Sequence, residues 1–370
     1  MPHPADPPTS GDRIRTAQLV DGLHALAADP HVVAYSWVDG AGGASAKPGW
    51  SYVPGRPTNG LRALVWRSQL AVARRRDPHA IHRMPGQHGR MRAALDELAP
   101  DVVDFQHSHT WFDPRRPAVL TLHNVETDRL GRFGGLTPRQ RATLAAHERA
   151  AIEAVGATVV LSEADAERVR QLGTPRALHV VPLGYDPGVR LPEPREQLTT
   201  LAYVGSFDYA PNVEAAQLLM ERWPAIRAAS GAERLLMVGR QAARHVSGGD
   251  GVEVRSDVPD VPAALADADV LVVPLVSGGG VRVKIIEAFA LGLPVVSTAL
   301  GIEGIAARDG RHAVIVPGVD ELPDAIATLA PAHIRESLAA AARELWAAHY
   351  SPRHMAEGML AVYRSVQDAR

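Results

Sequence analysis

The strongest constraint on this chain is an alternation that runs twice. Short apolar runs are separated by longer amphipathic stretches, and the series is interrupted once by a proline-rich break. In the first series, His31–Tyr35, Val102–Phe105, Ala118–Leu122, Thr158–Leu161 and His179–Val181 read as strands. Between and around them, Ile14–Ala28, Leu61–Arg74, Met91–Leu98, Pro138–Val155 and Glu163–Leu172 carry helical spacing. The second series has strands Leu201–Val204, Leu235–Val238, Val252–Val254, Val270–Val273, Pro294–Ser297 and His312–Val316. Its helices include Val213–Trp223, Val261–Ala266 and Lys284–Leu291. Strand–helix alternation of this kind implies an α/β chain with mostly parallel, doubly wound sheets.

The break lies at Pro182–Asp186 and Arg190–Arg195, where prolines interrupt any regular element. It divides the chain into a Rossmann-like domain at 1–182, a linker at 183–198 and a second Rossmann-like domain at 199–350. The terminal helix, 351–370, is expected to pack back toward the first domain. A length of 370 residues with 46% apolar content suffices for two cores.

Composition excludes several chemistries. The absence of cysteine removes disulfides, thiolate nucleophiles and zinc–sulfur sites. With 39 basic and 41 acidic residues, net charge −2, nothing calls for a nucleic-acid partner. No apolar run approaches the ~20 residues of a membrane span. Pro2, Pro4, Pro7 and Pro8, with Asp6 and Asp12, do not make a signal peptide. The expected location is cytoplasmic, with peripheral membrane association left open.

Ligands of open parallel sheets bind beyond the carboxyl ends of the strands. After Val270–Val273 comes Ser277-Gly278-Gly279-Gly280-Val281-Arg282-Val283-Lys284, followed by Ile285-Ile286-Glu287. Glycines let the backbone turn its N–H groups toward one point, and the helix that follows begins with a partial positive charge. Arg282 and Lys284 sit at that same end, where cations oppose the dipole of a plain surface helix. An anion with several oxygens, such as a diphosphate, removes the conflict. Glu287, one turn further on, suits two vicinal hydroxyls such as those of a ribose. Asp267-Ala268-Asp269 resembles a metal motif, but it precedes its strand and reads as capping and solvation. His107, His109 and Asp113 could hold a metal in principle; loop residues near an acceptor are the better reading.

The Gly278–Pro294 block resembles the donor motif of retaining GT-B glycosyltransferases of family 4. Gly205-Ser206 with Pro211-Asn212 resembles a subgroup with a Gly-Ser…Pro-Asn signature. Val181–Asp186, Gly301–Gly304 and the Pro7–Arg15 loop, which contains Gly11, resemble further family segments. The resemblance implies two Rossmann-like domains, a nucleotide diphosphate sugar as co-substrate, an unidentified acceptor hydroxyl, and net retention at the anomeric carbon. It assigns the donor to Gly11, Gly205, Ser206, Gly279, Gly280, Val281, Arg282, Val283, Lys284 and Glu287. It also places His123 close to the donor sugar and makes His123 and Glu126 the candidate catalytic residues, although a histidine followed by Asn124 and Glu126 at a strand end could equally cap the next helix. Glu126 reads equally as an acceptor contact or a surface charge.

Two departures from the pattern matter. Glu287 matches the second glutamate of the family pair, but the first position holds Gly279. The family's arginine and lysine after the first strand of the second domain are replaced by Ser206 and Pro211. Arg282 and Lys284 therefore become the candidate diphosphate cations, and neither a cofactor nor a metal is expected. A sugar-nucleotide epimerase or a degenerate donor-binding partner stays open as an alternative. Acceptor contacts are expected in the loops Trp37–Asn59, Gln106–Pro117 and Gly131–Leu136. Because Met1–Asp6 cannot form a central strand, either the sheet lacks its first strand or the natural protein starts upstream of Met1, the second being the expectation.

Overall fold

The computed structural model describes residues 11–36, 43–44, 50–54, 69–70, 73–77, 79, 86–132, 136–191 and 195–369. The expectations for Pro7–Ser10 and for a strand at the amino terminus lie outside these residues, as does most of the helix expected over Leu61–Arg74. The chain forms two compact units: Met1–Pro182 together with Pro352–Arg370, and Leu183–Ser351. The stretch read as a linker from 183 onward belongs to the second unit, where Leu183, Tyr185 and Leu198 are buried.

In the first unit, α1 (Gly11–Ala25), β1 (Val32–Ser36), β2 (Gly43–Ala44), β3 (Trp50–Pro54), α2 (Gln87–Leu98) and β4 (Val103–Gln106) lead into β5 (Ala118–Leu122). Then come α3 (Glu126–Arg132), α4 (Pro138–Ala154), β6 (Ala157–Val160), α5 (Glu163–Leu172) and β7 (Leu178–Val180). Strands β4-β5-β6-β7 form a parallel sheet in that order. Alternate residues serve opposite faces. Leu120, Leu122 and Val160 pack with Met91 and Leu95 of α2, Ile152 of α4 and Val169 of α5. Val119, Ala157 and Val159 pack with Leu19 and Leu23 of α1 and with Met355, Met359 and Val362 of the terminal helix Pro352–Asp368. Both faces are covered, which is why these strands read as unbroken apolar runs.

Part of the stretch expected to be an acceptor loop is regular. β3 runs parallel to β1, pairing Val33 with Ser51 and Tyr35 with Val53, and β2 runs antiparallel to β3. Val53 is buried in the same core cluster as Val103 and Phe105. Alternation over Trp50-Ser51-Tyr52-Val53 is the strand signal there, and Gly55, Pro54 and Pro57 hide it by crowding its end.

The second unit contains β8 (Thr200–Val204), α6 (Ala210–Ser230), β9 (Arg234–Gly239), β10 (Val252–Ser256), α7 (Val261–Ala264) and β11 (Val270–Val273). After these come α8 (Val283–Leu291), β12 (Val295–Thr298), β13 (Val314–Val316), α9 (Leu322–Ala327) and α10 (Ala332–His349). Its sheet is parallel throughout, in the order β10-β9-β8-β11-β12-β13. The order reverses between β8 and β11. A crevice outside the carboxyl ends of those two strands is therefore the place for a ligand.

Candidate functional site

β8 ends in Gly205-Ser206, and β11 ends in the loop toward Gly278–Gly280. Of the three loop glycines, Gly278 (φ +103°) and Gly280 (φ +79°) use the left-handed region. A tighter requirement falls on Gly239 at the end of β9. Its φ is +143°, and a Cβ there would stand 1.8 Å from the Gly205 carbonyl oxygen. The ends of β8 and β9 can approach only because this residue is glycine.

Arg282 is the N-cap of α8. Its side chain is buried and folds back over the loop, donating Nη1 to the Gly280 carbonyl at 2.8 Å and also to that of Gly279. Lys284 is the second residue of α8, within its first turn. Its Nζ donates to Asn212 Oδ1 at 3.0 Å and stands 4.6 Å from the centre of the Tyr203 ring. Burial, reinforced by the Arg282 charge, pushes the Lys284 ammonium down to about 7, with Glu287 opposing. Glu287 is buried, and its Oε1 accepts from Tyr185 Oη at 2.9 Å. Burial pushes its carboxyl up to about 7, against the Tyr185 hydrogen bond and the Lys284 charge, with Asp260 adding to the rise. The Pro211-Asn212 pair thus has a physical role: Asn212 Nδ2 donates to the Ser206 carbonyl at 2.9 Å while Oδ1 receives Lys284. Val281 and Val283 flank Arg282 and are half-buried.

The sequence does not mark two neighbours as site residues. Tyr185 comes from the stretch read as a linker. Arg240, just past β9, donates Nε and Nη2 to Ser206 Oγ at 3.0 and 2.8 Å and pairs with Asp208 at 2.9 Å. Ser206 therefore has a cation beside it after all.

In the first unit, His123 follows β5 and is buried. Its Nε2 lies 2.7 Å from Gln106 Oε1. Burial, then the charges of His107 and Arg15, hold its imidazole well below the usual histidine range. His107 packs against it with ring centroids 4.2 Å apart. The His107 backbone has φ +79° and ψ 144°, a region left almost entirely to glycine and costing roughly 1–3 kcal/mol. Hydrogen bonds on both sides hold it there: His107 N–H donates to the Thr121 carbonyl at 2.8 Å, and its own carbonyl accepts from Thr110 Oγ1 at 2.8 Å. His107, His109 and His79 continue the stack, at 5.0 and 4.6 Å, to Glu126. Among the described residues, no group of His, Asp and Glu has a metal-holding arrangement.

Glu126 is buried, not a surface charge. Burial pushes its carboxyl up, but hydrogen bonds from His79 and Arg129 and the charges of Arg129 and His107 prevail, taking it down to about 2. Arg129 Nη2 is 2.6 Å away. A carboxylate so tightly engaged is a poor general base. Glu148, unremarked in the sequence, reaches from the middle of α4 to accept from the backbone N–H of Glu126 (2.8 Å) and Thr127 (2.9 Å) at the start of α3.

Gly11 is the first residue of α1. The Asp-x-Asp pair lies at the amino ends of the strands: Asp269 Oδ2 accepts from the N–H groups of Thr199 and Thr200 at 2.9 and 2.8 Å, and Asp267 pairs with Arg255 at 3.2 Å. A groove of about 610 Å³ lined by Thr199, Arg234 and Glu253 opens at this same edge, opposite the end where open parallel sheets take ligands.

Comparison with known proteins agrees with this geometry. A family model described as Glycosyltransferase Family 4 matches residues 11–189, and one described as Glycosyl transferases group 1 matches residues 199–331. The D-inositol 3-phosphate glycosyltransferase of Geodermatophilus obscurus is 30% identical over 327 residues, covering 73% of this chain and 68% of its own. The protein of the same name from Rhodococcus opacus is 28% identical over 310 residues, covering 72% and 68%. Among solved structures, sucrose-phosphate synthase from Thermosynechococcus elongatus has a TM-score of 0.74 at 17% identity, over 98% of this chain and 94% of that one. HepE of Anabaena in complex with UDP-glucose has a TM-score of 0.66 at 14% identity, over 97% and 96%. The fold is that of the GT-B glycosyltransferases, two parallel-sheet Rossmann-like units. The chain belongs to glycosyltransferase family 4, the glycosyl transferases group 1.

Proposed function

We propose that the chain transfers a sugar from a nucleoside diphosphate donor to an acceptor hydroxyl with retention of the anomeric configuration and without a metal ion. The observation that carries this reading is the end of β11, where a glycine loop, the α8 N-terminus, Arg282, Lys284 and Glu287 converge at the switch point of the sheet. In this reading Lys284 and Arg282 neutralise the diphosphate and Glu287 accepts from the ribose hydroxyls. Val281 and Val283 frame the helix end, Gly279 and Gly280 present backbone N–H groups, and Gly205 and Ser206 line the other wall. Gly11 and His123 serve the donor through the family pattern, His123 beside the sugar. Glu126 acts by holding Arg129 and the histidine stack. HepE binds UDP-glucose, so that is the first donor to test; the names of the relatives make D-inositol 3-phosphate the first acceptor.

The test combines turnover of a nucleotide-sugar panel with the anomeric coupling constant of the product and a titration of donor into variants. Retained configuration, activity surviving EDTA, and a loss of roughly 2–5 kcal/mol of donor binding in Arg282→Ala or Lys284→Ala are expected. Ser206→Ala should cost on the order of 1 kcal/mol. Inversion, or cation variants within about threefold of wild type, would defeat the proposal. Donor binding without any turnover would favour a non-catalytic partner.

A further inference from the structure

Beside His123 lies a part-buried polar relay. Asp104 and Gln106 alternate on β4 and face the side of the sheet covered by α1 and the terminal helix. Asp104 Oδ2 accepts from Tyr363 Oη and from Gln106 Nε2, each at 2.7 Å, and Oδ1 accepts from Thr121 Oγ1 at 2.8 Å. Gln106 Oε1 accepts from Arg15 Nη1 at 2.9 Å and lies 2.7 Å from His123 Nε2. Arg15 is fully buried, and its Nε and Nη2 have no hydrogen-bond partner among the described residues. Leaving buried donors unmade is costly, so the single bond it makes, to Gln106, is one the fold retains at some expense.

The relay has a direction. A guanidinium can only donate, so the atom of Gln106 facing Arg15 must be the carbonyl oxygen. The amide nitrogen then faces Asp104, which accepts. The same oxygen faces His123, so Nε2 of that ring must carry the proton, and Nδ1 is left as the ring's acceptor. We propose that Gln106 is a positioning residue, locked by Arg15 and Asp104, that fixes His123 as the Nε2–H tautomer so that Nδ1 can only accept a hydrogen bond from substrate. The proposal rests on the reading that His123 serves the donor sugar. It adds a chemical consequence: the group His123 recognises is a hydroxyl that donates, and a carboxylate or phosphate oxygen is a mismatch there.

Two charged groups act on the ring, His107 from the turn after β4 and Arg15 from α1; Asp104 of β4 and Tyr363 of the terminal helix lie behind Gln106 and bond to each other. Burial together with the positive charges of His107 and Arg15 opposes a second proton on the ring.

The experiment is ¹⁵N NMR of the ring nitrogens in the full chain, with His123 assigned by difference against His123→Asn. Turnover is followed as nucleoside diphosphate release from the sugar nucleotide that binds tightest in a panel of UDP-, GDP-, ADP- and dTDP-glucose. Wild type should show Nε2–H across pH 6–8. Gln106→Met, similar in shape but with no carbonyl acceptor, should show mixed tautomers and a kcat lowered at least tenfold, with donor KM within about threefold. Gln106→Glu should restore the Nε2–H tautomer and move the acid limb of kcat to higher pH, because a carboxylate favours the imidazolium. An Nδ1–H tautomer in wild type, or Gln106→Met with Nε2–H and full kcat, would overturn the proposal. Wild-type kcat in His123→Asn would instead defeat the reading of His123 beneath it, whatever tautomer the spectra report.

Discussion

The end of β11 in the second unit and the end of β5 in the first hold their ionisable groups in opposite ways. At β11, Lys284 and Glu287 are both drawn to about 7, poised between charge states. At β5, Glu126 is held down at about 2 and His123 far below its ordinary value, so neither changes charge near neutrality. The physical difference lies in partners. Burial acts on all four groups. Glu126 has Arg129 and His79 to offset it, whereas Lys284 meets a neutral amide, an aromatic face and the like charge of Arg282. In the proposed reading one end takes its opposite charge from the ligand, whereas the other is already neutralised from within.

The largest effect expected from breaking this arrangement is mechanical. Gly239→Ala would drive a Cβ into the Gly205 carbonyl and demand a φ that L side chains rarely adopt. We expect a loss of more than about 4 kcal/mol, read as a lowered denaturation midpoint or as failure to fold. A variant with wild-type stability would mean that β8 and β9 do not end as closely as described.

Most of the architecture was legible in the sequence because parallel strands buried on both faces are unbroken apolar runs, as in Val270–Val273. β3 was not, since Trp50–Pro54 is short, alternating and set among glycines and prolines. At the site, Gly278–Glu287 is contiguous, so its glycines, cations and glutamate could be read together. Tyr185, Arg240, Gln106 and Glu148 could not, because each reaches its partner from a distant element; Tyr185 and Glu287 are 102 positions apart. Glu126 looked like a candidate for surface charge because Arg129, three positions on along α3, reads as an ordinary helix-surface pair, and His79 comes from a distant segment. The folding back of Arg282 over the loop carbonyls is likewise a matter of side-chain direction, which spacing does not encode.

A smaller effect tests the fixed end. The folded-state pKa of Glu126 is lowered, so its contribution to stability is present above the unfolded carboxylate value and is lost as pH falls through about 2. Glu126→Gln should cost roughly 1–3 kcal/mol at pH 7 and should flatten the fall in stability between about pH 5 and 2. The pH dependence of donor binding near neutrality should not change in this variant. Urea unfolding across that range, with donor titrations at pH 6–8, checks both statements.

The most direct test of the donor site is donor affinity as a function of pH, measured by calorimetry with UDP-glucose, or with whichever nucleotide sugar binds tightest, from pH 5.5 to 9. An anionic diphosphate needs the Lys284 ammonium, whose pKa without ligand is about 7, so affinity should fall above that pH by up to about tenfold per unit. Ribose hydroxyls need the Glu287 carboxylate, so affinity should also weaken below about 7, more gently. Lys284→Met should remove the alkaline limb and move the acid limb to higher pH, and Glu287→Gln should remove the acid limb and move the alkaline limb to lower pH, because each charge favours the other. A maximum near pH 7 with these two separable limbs is the predicted result. An affinity that stays flat across the range, or an alkaline limb that survives in Lys284→Met, would contradict the assignment of the diphosphate to the α8 N-terminus.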